Sequence, residues 1–169
     1  MKTLMKNLTH VSICTFLFYT IPSFADLPLG AFSGFVSGNY GEFCRINQAE
    51  VQFIPEEKGA YQLHWEEHGY QSAFGGGFCD IYLDAQLQPA GKANEWDVRF
   101  LDRTDLIFGK AVLNGTLIQI NANFSGFQNW ANLLRAEFNV GEKQNTLDYR
   151  RAIESNFGPT HTATGILAR

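Results

Sequence analysis

Asp105-Leu-Ile-Phe-Gly-Lys-Ala-Val-Leu-Asn-Gly-Thr-Leu-Ile-Gln-Ile-Asn-Ala-Asn-Phe124 is the stretch that decides the fold. Asn114-Gly115 stands between two runs of strand-forming residues. Asn and Gly tolerate the positive φ angles of a type I′ turn, whose twist matches that of paired strands. A two-residue turn there predicts Leu113 opposite Thr116, Ala111 opposite Ile118, Gly109 opposite Ile120 and Ile107 opposite Ala122. These pairs share one apolar face. The other face takes Lys110 opposite Gln119 and Phe108 opposite Asn121, and is mostly polar. A slip of one residue would exchange the faces. The stretch therefore reads as a hairpin with one buried side.

The same period of two continues outward in both directions. Before the hairpin, Glu95 to Asp102 turns Trp96, Val98 and Phe100 inward. Cys79 to Gln88 turns Cys79, Ile81, Leu83, Ala85 and Leu87 one way. Ala60 to Glu67 does so with Tyr61, Leu63 and Trp65, and Gln48 to Ile54 with Ala49, Val51 and Phe53. Gly30 to Gly38 is a glycine-rich strand with a bend. After the hairpin comes a loop at Ser125 to Ala131 bearing Phe127 and Trp130. Asn132 to Val140 then aligns Leu134, Ala136, Phe138 and Val140. Thr146 to Ile153 fits a strand or a short helix; as a strand it aligns Leu147, Tyr149, Arg151 and Ile153. Gly75-Gly76-Gly77 and the turns at Pro55–Gly59, Pro89–Lys92 and Gly141–Asn145 punctuate the series. The expected fold is all-β: an antiparallel meander of eight or nine strands closing into a lipocalin-like barrel. A two-sheet sandwich is the alternative.

The first 25 residues have the layout of a secretory signal peptide. Lys2 and Lys6 form the positive region, Val11 to Tyr19 the apolar run, and Ser23-Phe24-Ala25 the small-residue cleavage site. The apolar run is shorter than the roughly 20 residues a spanning helix needs. Cleavage after Ala25 leaves a domain at 26–154 and a tail at 155–169. The expectation is an exported protein, periplasmic in a Gram-negative source and secreted otherwise, and not an integral membrane protein. An outer-membrane barrel ranks lower, because the strands carry charged faces where lipid would lie. Beyond Ala25 the chain holds 11 of the 13 basic residues and all 17 acidic ones, a formal charge of −6. That excludes non-specific nucleic-acid binding and suits a cationic protein partner. Cys44 and Cys79, an even pair in an exported chain without a Cys-x-x-Cys motif, predict one disulfide.

Chemistry-bearing patterns are few. His64-Trp65-Glu66-Glu67-His68 resembles the H-x-x-E-H zinc motif of the inverzincin peptidases. That motif needs a helix, whereas here alternation sends Glu67 to the face opposite both histidines. On a strand, His64, Glu66 and His68 line the polar face as weak metal candidates. Gly75-Gly76-Gly77 lacks the Lys-Ser/Thr of a phosphate loop, and no Gly-x-Ser-x-Gly elbow occurs. No cofactor and no catalytic set are expected, so the chain reads as a non-enzyme. Gly30-Ala31-Phe32 resembles the Gly-x-Trp signature of lipocalins with Phe in place of Trp, and no functional residue carries over from it. The leading functional expectation is an apolar ligand inside the barrel. Its cavity would be lined by Phe53, Trp65, Trp96, Phe100, Gly109, Ala111, Ile118, Ile120 and Ala122. The alternative is a protein-binding module like the envelope inhibitors of lysozyme, and the third reading a metal-dependent enzyme at His64, Glu66 and His68.

Overall fold

In a computed structural model of the protein, residues 26–71, 76–101, 106–124, 133–154 and 160–169 are described. The expected leader at 1–25 and the expected loop at 125–131 lie outside them. The described chain forms eleven strands: β1 Gly30–Tyr40, β2 Cys44–Pro55, β3 Tyr61–Gln71, β4 Phe78–Tyr82, β5 Ala85–Pro89, β6 Glu95–Phe100, β7 Leu106–Asn114, β8 Leu117–Phe124, β9 Leu133–Val140, β10 Thr146–Glu154 and β11 His161–Ala168. Each pairs antiparallel with its neighbours, in the order β2-β1-β11-β10-β9-β8-β7-β6-β5-β3, and β2 pairs with β3 to close the ring. The meander is thus a barrel, not a sandwich. Closure satisfies edges that an open sheet would leave bare.

The strand expected over Cys79–Gln88 is interrupted. β4 and β5 lie end to end along the same side of β3, with Glu66 opposite Tyr82 and Leu63 opposite Ala85. Between them the Leu83 N–H donates to the Trp65 carbonyl at 2.8 Å. The Trp65 N–H instead donates to the Asp84 carboxylate at 2.9 Å. A side chain replaces a carbonyl in the ladder, and the strand breaks there without losing register. Thr146–Glu154 is a strand. His161–Ala168, which the sequence reading placed in the tail, is the strand that joins β10 to β1.

The central hairpin pairs Asn114 with Leu117, Leu113 with Ile118, Ala111 with Ile120 and Gly109 with Ala122. The turn is therefore Gly115-Thr116, one residue beyond the expected Asn114-Gly115. Gly115 has φ +63, and Thr116 is not among the residues of positive φ. Glycine alone at the first central position is the type II′ pattern, which spares Asn114 and β-branched Thr116 a left-handed conformation. The displacement from the expected pairing is two residues, an even number, so the faces survive. Ala111, Leu113, Ile118, Ile120 and Ala122 are all buried.

The barrel has two unlike ends. At the base end Leu27 is buried and donates its N–H to Tyr61 Oη at 3.2 Å, and the Arg169 guanidinium lies 4.9 Å from the Phe32 ring centre. At the rim end the register of β2 shifts between Ile46 and Gln48, and that of β1 between Phe35 and Gly38. Such bulges bend a strand and bring backbones close. A Cβ on Gly69 would lie 2.2 Å from the Arg45 carbonyl oxygen. Gly69→Ala is accordingly expected to destabilise by about 1–3 kcal/mol, the usual range for forced overpacking. A urea midpoint unchanged from wild type would show that β2 yields freely there.

Candidate functional site

The side chains that meet inside the barrel include two charges. β3 carries inward Tyr61, Leu63, Trp65 and Glu67, and β10 carries inward Leu147, Tyr149, Arg151 and Ile153. Glu67 is 0% exposed and Arg151 2%. The guanidinium forks onto the carboxylate, Nε to Oε1 at 3.1 Å and Nη2 to Oε2 at 2.6 Å. Its remaining hydrogens go to carbonyls, Nη1 to His161 at 2.9 Å and both terminal nitrogens to Asn39 at 3.3 Å. Tyr149 donates its hydroxyl to Glu67 Oε1 and accepts from Trp65 Nε1 at 3.2 Å. Four strands, β1, β3, β10 and β11, are tied through one guanidinium. Among the described residues no buried side-chain nitrogen or oxygen lacks a partner. The network is saturated, and this makes it a structural crosslink with no donor left over for a ligand.

The electrostatics follow from this closure. Burial disfavours the Arg151 cation, but the Glu67 carboxylate outweighs it and holds the guanidinium above its usual value. Burial, then the Glu67 charge, push the Tyr149 phenol well above 10.0. His161 at the rim is lowered by burial and by the Arg151 charge. A raised phenol is a stability statement. Below pH 10 native and unfolded states both hold the proton, and the contribution is intact. Above it the unfolded chain releases a proton that the native state keeps, so stability falls as pH rises toward the native value. Tyr149→Phe should flatten that alkaline loss. It should also cost about 1–3 kcal/mol at neutral pH, because the Trp65 indole N–H loses its acceptor. Unfolding titrations between pH 8 and about 11 check both, and an alkaline slope equal in the two proteins would refute the assignment.

On the opposite face of β3 lies the histidine pattern. His64, Glu66 and His68 share the outer side, as alternation requires. They join β4 and the β4–β5 break in one strip running Asp84, His64, Glu66, His68, Asp80. The contacts in that order are 3.0, 3.4, 3.3 and 2.9 Å. Each ring offers its two nitrogens to carboxylates on opposite sides, so the acids do not converge on one point with a histidine. Among the described residues no group of three or more His, Cys, Asp or Glu is placed to hold a metal ion. Cys44 and Cys79 form the disulfide, with Cα atoms 6.1 Å apart. It joins the start of β2 to β4 at the rim.

The residues expected to line a cavity take inward positions, where Phe53, Trp65, Trp96, Phe100, Ala111, Ile118, Ile120 and Ala122 are all buried. The lumen is bridged at mid-height. β3 and β9 stand five places apart in either direction round the ten-strand ring, yet Trp65 and Phe138 have ring centres 5.4 Å apart and meet edge to face. Phe53 and Tyr149 also pack on Phe138, at 5.7 and 5.6 Å. Trp96 stands opposite Ala111 and fills the place a larger side chain would take. Gly109 marks close strands, not a vacancy. A Cβ there would lie 2.6 Å from the Asn121 carbonyl and 2.8 Å from the Ala122 Cβ.

The fold has a counterpart of known structure. It superposes on the crystal structure of Rv2717c from M. tuberculosis with a TM-score of 0.57, at 14% sequence identity, covering 84% of this chain and 92% of that one. At that identity the likeness establishes the barrel and nothing about activity. No protein-family model and no curated protein matches the chain.

The sequence reads Gly69 to Phe78 as a flexible loop and offers it, with the outer surface, as the binding place should the lumen be filled; its ends are instead strand, since β3 runs to Gln71 and β4 starts at Phe78. Tyr70 and Phe78 form a cross-strand pair on the outer face of β3 and β4, and Tyr82 lies further along β4. Phe78 is 90% exposed, Tyr70 51% and Tyr82 45%, so none serves the core. Among the described residues, the backbone of β4 is open on one side. Gly77 and Leu83 bond towards β3. By alternation so do Cys79 and Ile81, and the N–H and C=O groups of Phe78, Asp80 and Tyr82 point the other way. On that side the ladder with β6 reaches Leu101, whose N–H meets the Asp84 carbonyl at 2.8 Å. Beyond that point β4 has no main-chain partner among the described residues.

Proposed function

We propose that the protein is an exported binding module, not an enzyme, and that it recognises another protein on the outside of the barrel at the β3–β4 rim. The observation that carries this reading is the exposed cluster of Tyr70, Phe78 and Tyr82 on a barrel whose lumen is spanned by its own aromatic side chains. Aromatic residues ringed by polar ones are a common make-up for protein interfaces. The Glu66, Asp80 and Asp84 carboxylates beside the cluster, with the acidic balance of the chain after Ala25, favour a cationic partner. A disulfide and a leader-like N-terminus support export.

A second reading keeps the interior apolar ligand, confined to the rim half. It is favoured by Ala122, Ala136 and Ala163, small inward residues around the level of the Glu67–Arg151 pair. The two readings separate experimentally. Exported-fraction proteins should be retained by immobilised wild type and lost with a Tyr70→Ser/Phe78→Ser variant of unchanged circular dichroism. Saturable binding of a fluorescent apolar probe, abolished by Ala122→Trp and untouched by the surface variant, would move the assignment to the lumen.

A further inference from the structure

We infer that β4 receives an extended segment of its partner as an added strand along its open edge, with an apolar side chain opposite Phe78, a basic one opposite Asp80 and an apolar one opposite Tyr82. This deepens the protein-binding reading and rests on it for the class of partner. Three observations converge on β4. Its outward main-chain groups at Phe78, Asp80 and Tyr82 have no strand to bond among the described residues, and they continue the line of the Leu101-to-Asp84 bond. An extended peptide that supplies such bonds binds by main chain and is selected by alternate side chains. Those same three residues share the outer face, where the order is aromatic, acidic, aromatic. The pattern Phe78-x-Asp80-x-Tyr82 therefore writes its complement. Asp80 is contacted by His68, and Glu66 sits between the two histidines, with Asp84 at the far end, so the strip holds three carboxylates, one more than its histidines, and favours a basic side chain.

The third observation is the disulfide. A five-residue strand paired on one side only is a poor template if it frays. Cys79 is bonded to Cys44 of β2, so β4 is held in its extended form before any partner arrives, which lowers the ordering cost of binding. Phe35 and Ile166, also exposed and apolar on the neighbouring strands β1 and β11, offer no comparable opening, because both strands are paired on both sides.

The test uses the oxidised chain beginning at Asp26 and amide hydrogen exchange read by NMR. In the free protein the amides of Phe78, Asp80 and Tyr82 should exchange fast and those of Cys79, Ile81 and Leu83 slowly. The probe is acetyl-Thr-Val-Thr-Lys-Thr-Val-Thr-amide. It should bind saturably in a chemical-shift titration and slow the three fast amides at least tenfold. N-methylation at both valines should weaken it at least tenfold while leaving its side chains intact. Glu in place of its Lys should also weaken it, and Asp80→Lys, with unchanged circular dichroism, should reverse that preference. Slow exchange at all six amides in the free protein would mean that the edge is already occupied and would overturn strand addition, leaving the wider outer-surface reading standing. So would saturable peptide binding with no protection gained at Phe78, Asp80 and Tyr82. Freely exchanging amides with no saturable binding of the probe would also overturn it.

Discussion

Glu67→Ala is expected to cost the native state about 3–5 kcal/mol, the range for leaving a buried charge without its counter-ion. Arg151 is sealed from solvent at 2% exposure, and both guanidinium nitrogens that face Glu67 would lose their carboxylate acceptor together. The Tyr149 hydroxyl would lose its acceptor as well. Arg151→Met alone should cost a similar amount, by stranding the carboxylate and freeing the Asn39 and His161 carbonyls. The combination Glu67→Leu with Arg151→Met should recover most of the loss, because hydrophobic replacements of a whole buried pair are often neutral or better. Urea unfolding of wild type, Glu67→Leu, Arg151→Met and the double variant gives the coupling directly. Single variants that lose less than about 1 kcal/mol would mean that water reaches the pair, since exposed pairs are worth only that much.

Reduction of Cys44–Cys79 is the second large effect. The bond closes a loop of 35 residues in sequence separation, which the chain-entropy model values at about 3–4 kcal/mol. The loss should not be uniform. β4 has β3 alone as a main-chain neighbour among the described residues, so its amides should lose protection on reduction before those of β8 and β9, which are paired on both sides. Urea midpoints with and without reductant, and for Cys44→Ala/Cys79→Ala, measure the total. A shift below about 1 kcal/mol would show that the reduced chain keeps β2 and β4 together without the covalent tie.

Alternation carries nearly all of the fold that was legible beforehand. Inward sets such as Trp96, Val98 and Phe100, or Leu134, Ala136 and Phe138, are buried as period two requires, and the two cysteines are paired. Alternation fixes faces but not pairing partners. It therefore could not distinguish a turn at Asn114-Gly115 from one at Gly115-Thr116, since both put the same residues inside. β11 escaped because Thr162, Thr164 and Gly165 blur its pattern, and its apolar Ile166 faces outward. The buried ion pair was half visible. Glu67 falls on the side of Tyr61, Leu63 and Trp65, and Arg151 on that of Leu147, Tyr149 and Ile153. A charge in each inward set, of opposite sign, was the available signal. That the two meet depends on β3 and β10 being brought together across 84 residues of chain, which only closure of the ring decides. The open edge of β4 depends on how far β6 runs alongside it, a matter of stagger that no local pattern records.

The pairing of β1 with β11 also sets an order of events. A chain delivered from its N-terminus can zip β1 to β2, β2 to β3 and onward as each strand emerges, since, apart from β5 following β4 onto β3, every other contact in the ring is between sequence neighbours. The free side of β1 must wait for the last eight-residue strand, so the growing sheet carries two bare edges, at β1 and at its newest strand, throughout its delivery. Bare edges recruit other chains. A truncation that removes His161–Ala168 would make that interval permanent. The product would be an open ribbon prone to self-association, and a factor that shields nascent edges would matter most in the moments before β11 arrives.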